Sequence, residues 1–180
     1  FIISIVGATG IGKATVETLA QNGAVVIFCD VNKKEGLNTQ KEMAKKGLET
    51  FFVKVDVSKE KEVKQLYSHI KKKFKTIDIV FNNAGIEQSV TPSHLLETKV
   101  FDKVIDINLK GIFLSCKYAL KIMEKNKTGS IVNNSSISAF ANVGGNLSYA
   151  ASKGGIMSLT RVLAIEYANK NIRVNAVCPG

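Results

Sequence analysis

The chain has 180 residues, 45% hydrophobic and 22% charged, with a net charge of +10. It is long enough for one domain with a substantial core and too apolar for a disordered chain. No apolar run reaches the ~20 residues that span a bilayer, and the opening FIISIV lacks the basic start and cleavage site of a signal peptide, so no membrane association is expected.

In chain order, residues 1–6 form a continuous apolar run, followed by GATGIGKA (7–14) and a helical pattern from Lys13 to Asn22. A second strand covers Ala24 to Cys29 and ends at Asp30, and a polar helix covers 33–46. FFVKVDV (51–57) reads as a third strand and 59–73 as a third helix. The fourth strand, Ile77 to Phe81, runs into NNAG (82–85). A long helical region covers 98–125, a fifth strand lies in GSIVNNSS (129–136), a helix runs from Tyr149 to Asn169, and IRVNAV (172–177) is a sixth strand. Strands that are apolar throughout and alternate with helices point to a parallel sheet covered on both faces. With right-handed crossovers the fold class is α/β, a doubly wound, mostly parallel sheet.

In such a sheet ligands bind at the carboxyl ends of the strands. The first strand ends in Gly7, Gly10 and Gly12, whose lack of side chains lets backbone N–H groups and a helix N-terminus approach a pyrophosphate. A plain tight turn would use the same glycines. The second strand ends at Asp30, eighteen residues after Gly12. A carboxylate there accepts hydrogen bonds from ribose hydroxyls and repels a 2′-phosphate, which favours NAD(H) over NADP(H). Lys13, Lys33 and Lys34 stand near in sequence and work against that preference, and Asp30 could instead cap the next helix. Asp56 and Val57 could meet an adenine edge, although Asp56 and Ser58 are also candidate helix caps.

The lysines gather in 33–46, 59–64 and 71–75, interleaved with glutamates on helical segments, which is the pattern of solvated helix faces. Without an aromatic stripe to stack bases, nucleic acid is not an expected partner. Cys29, Cys116 and Cys178 have neither metal nor disulfide spacing and read as small buried hydrophobes in a reducing, cytoplasmic compartment. His69 and His94 belong to no cluster, and no metal is expected.

The ordered set GATGIG (7–12), Asp30, DV (56–57), NNAG (82–85), INLKG (107–111), GSIVNNSS (129–136), YAASK (149–153) and IRVNAVCPG (172–180) resembles the short-chain dehydrogenase/reductase family, a group of Rossmann-like oxidoreductases, over nearly the whole chain. The resemblance implies that Tyr149 is the catalytic acid/base and Lys153 its partner. Ser136, thirteen residues before the tyrosine, would hold the substrate, with Ser135 and Ser138 out of register. Asn108 would hold a water that completes a proton relay. The cofactor would be lined by Gly7, Gly10, Ile11, Gly12, Asp30, Asp56, Val57, Asn82, Ala84, Gly85, Tyr149, Lys153, Pro179 and Gly180.

The chemistry follows from the residue types. A phenol is a poor base at neutral pH. An ammonium one helical turn away, at i+4, favours its ionised form. Small residues at 150–152 admit substrate and cofactor, and Gly154 and Gly155 suit close packing. The expected activity is hydride transfer between a secondary alcohol and NAD, with the ketone as product. One alternative is an NADPH-dependent 3-oxoacyl-(acyl-carrier-protein) reductase, whose acidic carrier would suit the positive charge. A second is a non-enzymatic dinucleotide sensor. The resemblance also implies a homotetramer or homodimer built on the 98–125 and 149–169 regions.

Two departures stand out. The family's loop has three residues between its first two glycines, whereas only Ala8 and Thr9 separate Gly7 from Gly10, and Val6 occupies the usual threonine position. The chain also runs from Phe1 to Gly180, which reads as one dinucleotide-binding catalytic domain (1–180) without its C-terminal substrate-covering segment.

Overall fold

The computed structural model describes residues 2–142 and 144–180, with side chains from residue 7 onward. Six strands, β1 (Ile2–Val6), β2 (Val25–Asp30), β3 (Thr50–Lys54), β4 (Ile79–Asn82), β5 (Gly129–Asn134) and β6 (Ile172–Val177), form one sheet. All pairings are parallel, in the order β3-β2-β1-β4-β5-β6. Phe1, counted by hydropathy in the first strand, lies outside the described residues. The chain leaves β1 toward β2 on one side and returns to β4 on the other, so the carboxyl ends of β1 and β4 flank the switch point of a doubly wound sheet.

The helices are α1 (Gly10–Gln21), α2 (Lys33–Lys45), α3 (Glu60–Phe74), α4 (Thr98–Ile105), α5 (Gly111–Asn126) and α6 (Leu147–Tyr167). On α3, Val63, Leu66, Tyr67 and Ile70 are buried at the i, i+3, i+4, i+7 spacing of an amphipathic helix, and its lysines face outward. Two cores flank the sheet. Val16 and Ala20 of α1 and Met43 of α2 pack with Val26 and Phe28 on one face. Helices α3, α5 and α6 cover the other with residues such as Ile70, Leu120 and Ile156 around Ile27, Val80 and Ile131.

Several boundaries differ from those read in the sequence. The helix expected from Lys13 begins at Gly10, because its glycines form the first turn. The third strand stops at Lys54, so Asp56 and Val57 lie in the following loop, where the Asp56 carboxylate accepts from Ser58 N at 3.0 Å and Ser58 Oγ at 2.7 Å. The single helical region 98–125 is divided by a π-helical turn at Asp106–Lys110. The last helix starts two residues before Tyr149. Gly155 makes the expected close approach, since a Cβ there would stand 2.8 Å from Leu109 of the π turn, but a Cβ at Gly154 would meet nothing within 4 Å.

A polar seam crosses the larger core. Tyr67 Oη lies 2.6 Å from Ser115 Oγ, which donates to Asn82 Oδ1. Asn82 Nδ2 donates to Asn133 Oδ1 at 2.8 Å, and Asn133 Nδ2 donates to Thr160 Oγ1 at 3.0 Å. The seam joins α3, α5, β4, β5 and α6, and all five residues are buried. Buried polar groups are tolerable only when partnered. Asn133→Leu strips partners from both Asn82 and Thr160, so it should destabilise the protein by about 2–4 kcal/mol in urea denaturation. Lys99→Ala, which removes an exposed pair with Glu97, should change stability by less than ~0.5 kcal/mol.

Candidate active site

The glycine loop turns within three residues. Gly7 N donates to Cys29 O at 2.8 Å, carrying the β1–β2 ladder one residue further. Gly7 (φ +125°) and Gly10 (φ +51°) then take conformations that L side chains avoid. A Cβ on Gly12 would stand 2.5 Å from Gly7 O, so the start of α1 presses directly on the end of β1. The short loop is pinned from two sides. Ala8 N donates to Asp30 Oδ2 at 2.9 Å, and Thr39 Oγ1 donates to Ala8 O at 2.9 Å. Thr9, at the N-cap of α1, gives no side-chain cap. The first-turn N–H groups of Gly10, Ile11 and Gly12 therefore form an anion-seeking helix end.

Asp30 holds this loop and faces the cleft beside it. Its other oxygen, Oδ1, accepts from Asn32 N at 2.8 Å, and Asn32 rather than Asp30 caps α2 by accepting from Lys34 N and Glu35 N. Each carboxylate oxygen keeps a second lone pair for a further donor. Lys13 is paired with Glu42 at 2.6 Å.

A cleft of about 840 Å³ opens along the carboxyl ends of β1, β2 and β4, lined by Gly7, Asp30, Asp56, Val57, Ala84 and Gly85 among others. Six of the residues expected at a cofactor thus line one cleft. Asn82 does not join them through its side chain, which is buried in the polar seam. Asn83 lines the cleft instead. Asn134 Nδ2 donates to Asn83 Oδ1 at 2.8 Å, and the Asn83 amide nitrogen would be 2.8 Å from a Cβ at Gly7. Pro179 lies at the end of β6, where its carbonyl accepts from Ile137 N at 2.9 Å, and Gly180 is exposed beside it.

The four expected catalytic side chains come from three different elements. Lys153 is on α6 and only 4% exposed, and its Nζ donates to Asn134 O at 2.8 Å. Burial lowers its pKa from 10.5 to about 8, slightly offset by Cys178 nearby. Nζ lies 5.4 Å from the centre of the Tyr149 ring, one turn earlier on the same helix. Asn108, fully buried on the π turn, accepts from Ile86 N at 2.8 Å, and its Nδ2 donates to Ile86 O at 2.9 Å and Ser152 Oγ at 3.2 Å. A point one Cβ bond from Gly85 lies 3.5 Å from Asn108 Oδ1 and 3.8 Å from Lys153 Nζ. Ser136 follows β5, its Oγ accepting from Ser138 N at 3.1 Å. Ser135 is committed elsewhere, donating to Lys153 O at 2.9 Å. Sequence reading missed Asn83, Asn134 and Ser152, although each lies inside a quoted motif.

The sequence profile of the short chain dehydrogenase family matches residues 2–180. The chain belongs to that family. It is 38% identical over 177 residues to levodione reductase of Leifsonia aquatica, which covers 97% of this chain and 66% of that protein. It is also 38% identical over 174 residues to cis-4-hydroxycyclohexanecarboxylate dehydrogenase of Sinomonas cyclohexanicum, covering 96% and 69%. The crystal structure of levodione reductase superposes with a TM-score of 0.96 at 36% identity, over 99% of this chain and 70% of that one. An actinorhodin polyketide ketoreductase solved with NADPH gives 0.95 at 31%, over 99% and 69%. The chain spans 63–69% of the length of these and similar curated relatives.

The residues present in this member of the family fit a nicotinamide dinucleotide. The Gly7–Gly12 contact leaves backbone where a side chain would obstruct the loop, and the cleft volume is within the range of ligand sites. Among the described residues no cluster suits a metal ion. Cys29 and Cys116 are buried, with thiols pushed up to about 12 by burial, and they act as packing groups.

Lys153 supplies a pH test. Its folded pKa lies below its unfolded one, so the cost of burying its charge is complete below about pH 8 and fades between about 8 and 10.5. Stability from this group therefore rises with pH across that window. In NMR titration of lysine-labelled ligand-free protein, one lysine Cε signal should titrate near pH 8, and Lys153→Met should remove that signal.

Proposed function

We propose that this chain forms the catalytic part of an NAD(H)-dependent oxidoreductase that interconverts a secondary alcohol and its ketone. The observation that carries the reading is that Lys153 Nζ lies 5.4 Å from the centre of the Tyr149 ring and, with Asn108 Oδ1, stands against Gly85 of the cleft, while Ser136 joins them by the family resemblance. A bound nicotinamide dinucleotide would supply the hydride acceptor or donor.

The remaining chemistry falls to this chain. Ser136 Oγ donates a hydrogen bond to the substrate oxygen and orients its carbon. Tyr149 Oη takes the hydroxyl proton during oxidation and returns it during reduction. Lys153, held at Asn134 O, places its ammonium 5.4 Å from the centre of the Tyr149 ring, where it faces the charge that develops as the proton moves. The Asn108 amide protons are spent on Ile86 and Ser152, so a relay water would meet this residue at Oδ1, near the point shared with Lys153 Nζ.

The cofactor preference rests on Asp30. The spare lone pairs on its two oxygens suit ribose hydroxyls, and its charge opposes a 2′-phosphate. An NADPH-dependent ketoreductase is the second reading, supported by the NADPH in a structural neighbour and by exposed Lys33 and Lys34 at the start of α2. The relatives' names speak for an enzyme rather than a dinucleotide sensor. One of them acts by its name on a hydroxyl borne by a cyclohexane ring. Ile137, Phe140 and Leu147, exposed apolar residues, flank Ser136 and Tyr149 in sequence, so ring-borne secondary alcohols are the substrate class to screen first.

Exposed Phe113 on α5 and Val162 and Ile165 on α6 suit self-association into a homodimer or homotetramer. No helix among the described residues is long and apolar enough to cross a membrane, and a cytoplasmic location is in keeping with the free cysteines.

Fluorescence titration at one salt concentration should show tighter binding of NADH than of NADPH, and the reverse order would promote the ketoreductase reading. Tyr149→Phe should lower kcat for a cyclic secondary alcohol by about 10²–10⁴-fold while NADH affinity changes little. Full turnover in that variant would remove Tyr149 from the mechanism.

A further inference from the structure

Gln88 lies in the loop after β4, three residues beyond Gly85, and is buried. Its Oε1 accepts from Ser148 N at 2.8 Å and from Ser148 Oγ, and its Nε2 donates to Gly145 O at 3.1 Å. Thr91 N donates to the same carbonyl at 2.8 Å, and Val90 packs where a Cβ of Gly145 would lie. A side chain about 60 residues away thus holds the entry to α6, the helix that carries the phenol.

This tie serves a need that the helix does not meet locally. Asn146, at the N-cap of α6, makes no side-chain cap bond, so Gln88 satisfies a first-turn N–H instead. Ser148 is fully buried and immediately precedes Tyr149. On the other side of the same turn, Ser152 Oγ donates to Tyr149 O at 2.7 Å and accepts from Asn108. Asn108 in turn brackets Ile86, two residues before Gln88. The 85–88 loop is therefore fastened at Ile86 to the π turn and at Gln88 to α6. Lys153 has its own anchor at Asn134 O, whereas no hydrogen bond is recorded for the Tyr149 hydroxyl among the described residues. Among the described residues the phenol is thus located through its backbone and by the Lys153 ammonium against its ring.

We propose that Gln88 is a positioning residue for Tyr149, fixing the phenol relative to the Ala84–Ile86 wall of the cleft. The inference rests on the reading of Tyr149 as the proton-transfer group. The effect is on alignment: loss of the tie leaves the cleft and the Lys153 anchor in place and lets the first turn of α6 shift.

The test uses the full-length protein with Gln88→Met, similar in volume but unable to make these bonds, and Ser148→Ala, which removes the hydroxyl and keeps the N–H. Gln88→Met should lower kcat for a cyclic secondary alcohol at least tenfold and displace the pH profile of kcat, with the Kd for NADH unchanged within twofold. In ligand-free protein labelled at tyrosine ring carbons, the Tyr149 signal, assigned by its loss in Tyr149→Phe, should move while those of Tyr67, Tyr118 and Tyr167 stay. Ser148→Ala should shift the same signal less and reduce kcat two- to fivefold, and it decides the question if Gln88→Met does not fold. An unmoved Tyr149 signal overturns the proposal whatever kcat does. Shifts at all four tyrosines with loss of NADH binding also overturn it, because Gln88 would then serve only the fold. The ring signal needs no turnover. If the unsubstituted protein oxidises no alcohol, the proposed function fails while the role of Gln88 in placing the phenol is still decided.

Discussion

The site depends on where a buried ammonium can find an acceptor. Lys153 is carried into the interior by α6, and removing a charge from water is costly unless a partner compensates. The partner is the carbonyl of Asn134 at the carboxyl end of β5. The neighbouring residues of that strand end each hold a different component. Asn133 closes the core seam, the Asn134 amide steadies Asn83 against the glycine loop, Ser135 clamps the main chain of Lys153, and the buried Ser136 accepts from Ser138 N. The alternation of a strand separates the first two roles, because the Asn133 and Asn134 side chains leave on opposite faces, and Ser135 and Ser136 lie just past the strand end.

The π turn at Asp106–Lys110 serves the same convergence. It sits between α4 and α5, where a continuous helix was expected, and π turns often mark functional places in helices. Asn108 lies at its centre and bonds to both the loop after β4 and α6. Gly155 lets Leu109 of this turn come within contact of α6. The departure from regular helix thus places one amide between β4 and α6, with packing on both sides to keep it there.

Much of this was legible in the sequence because it is local. Apolar runs broken by glycines gave six strands in order, and the resemblance to the short-chain dehydrogenase/reductase family, carried by the ordered motifs, gave the proposed chemical residues Ser136, Tyr149 and Lys153. Asp30 stood out as the acidic end of an apolar strand. What escaped notice depends on partners far along the chain. Nothing near Asn82 indicates that its amide turns toward Ser115 and Asn133 while Asn83 takes the cleft. Nothing near Gln88 marks it as the cap of a helix that begins at Leu147. The boundary at Lys54 was missed for a related reason: Val55 is buried, so hydropathy carries the strand pattern past the point where Asp56 and Ser58 bend the chain.

The shortened glycine loop has a consequence for how such a chain can change. Asp30 is a strut for Ala8 N–H and also the charge that would discriminate between dinucleotides. Exchanging it for a residue tolerant of a 2′-phosphate removes the acceptor that shapes the loop. On the reading proposed for Asp30, cofactor preference and loop geometry would be inherited together. On that reading a lineage that switched cofactor would need another acceptor for that N–H, so the order of substitutions would be constrained before any selection for activity began.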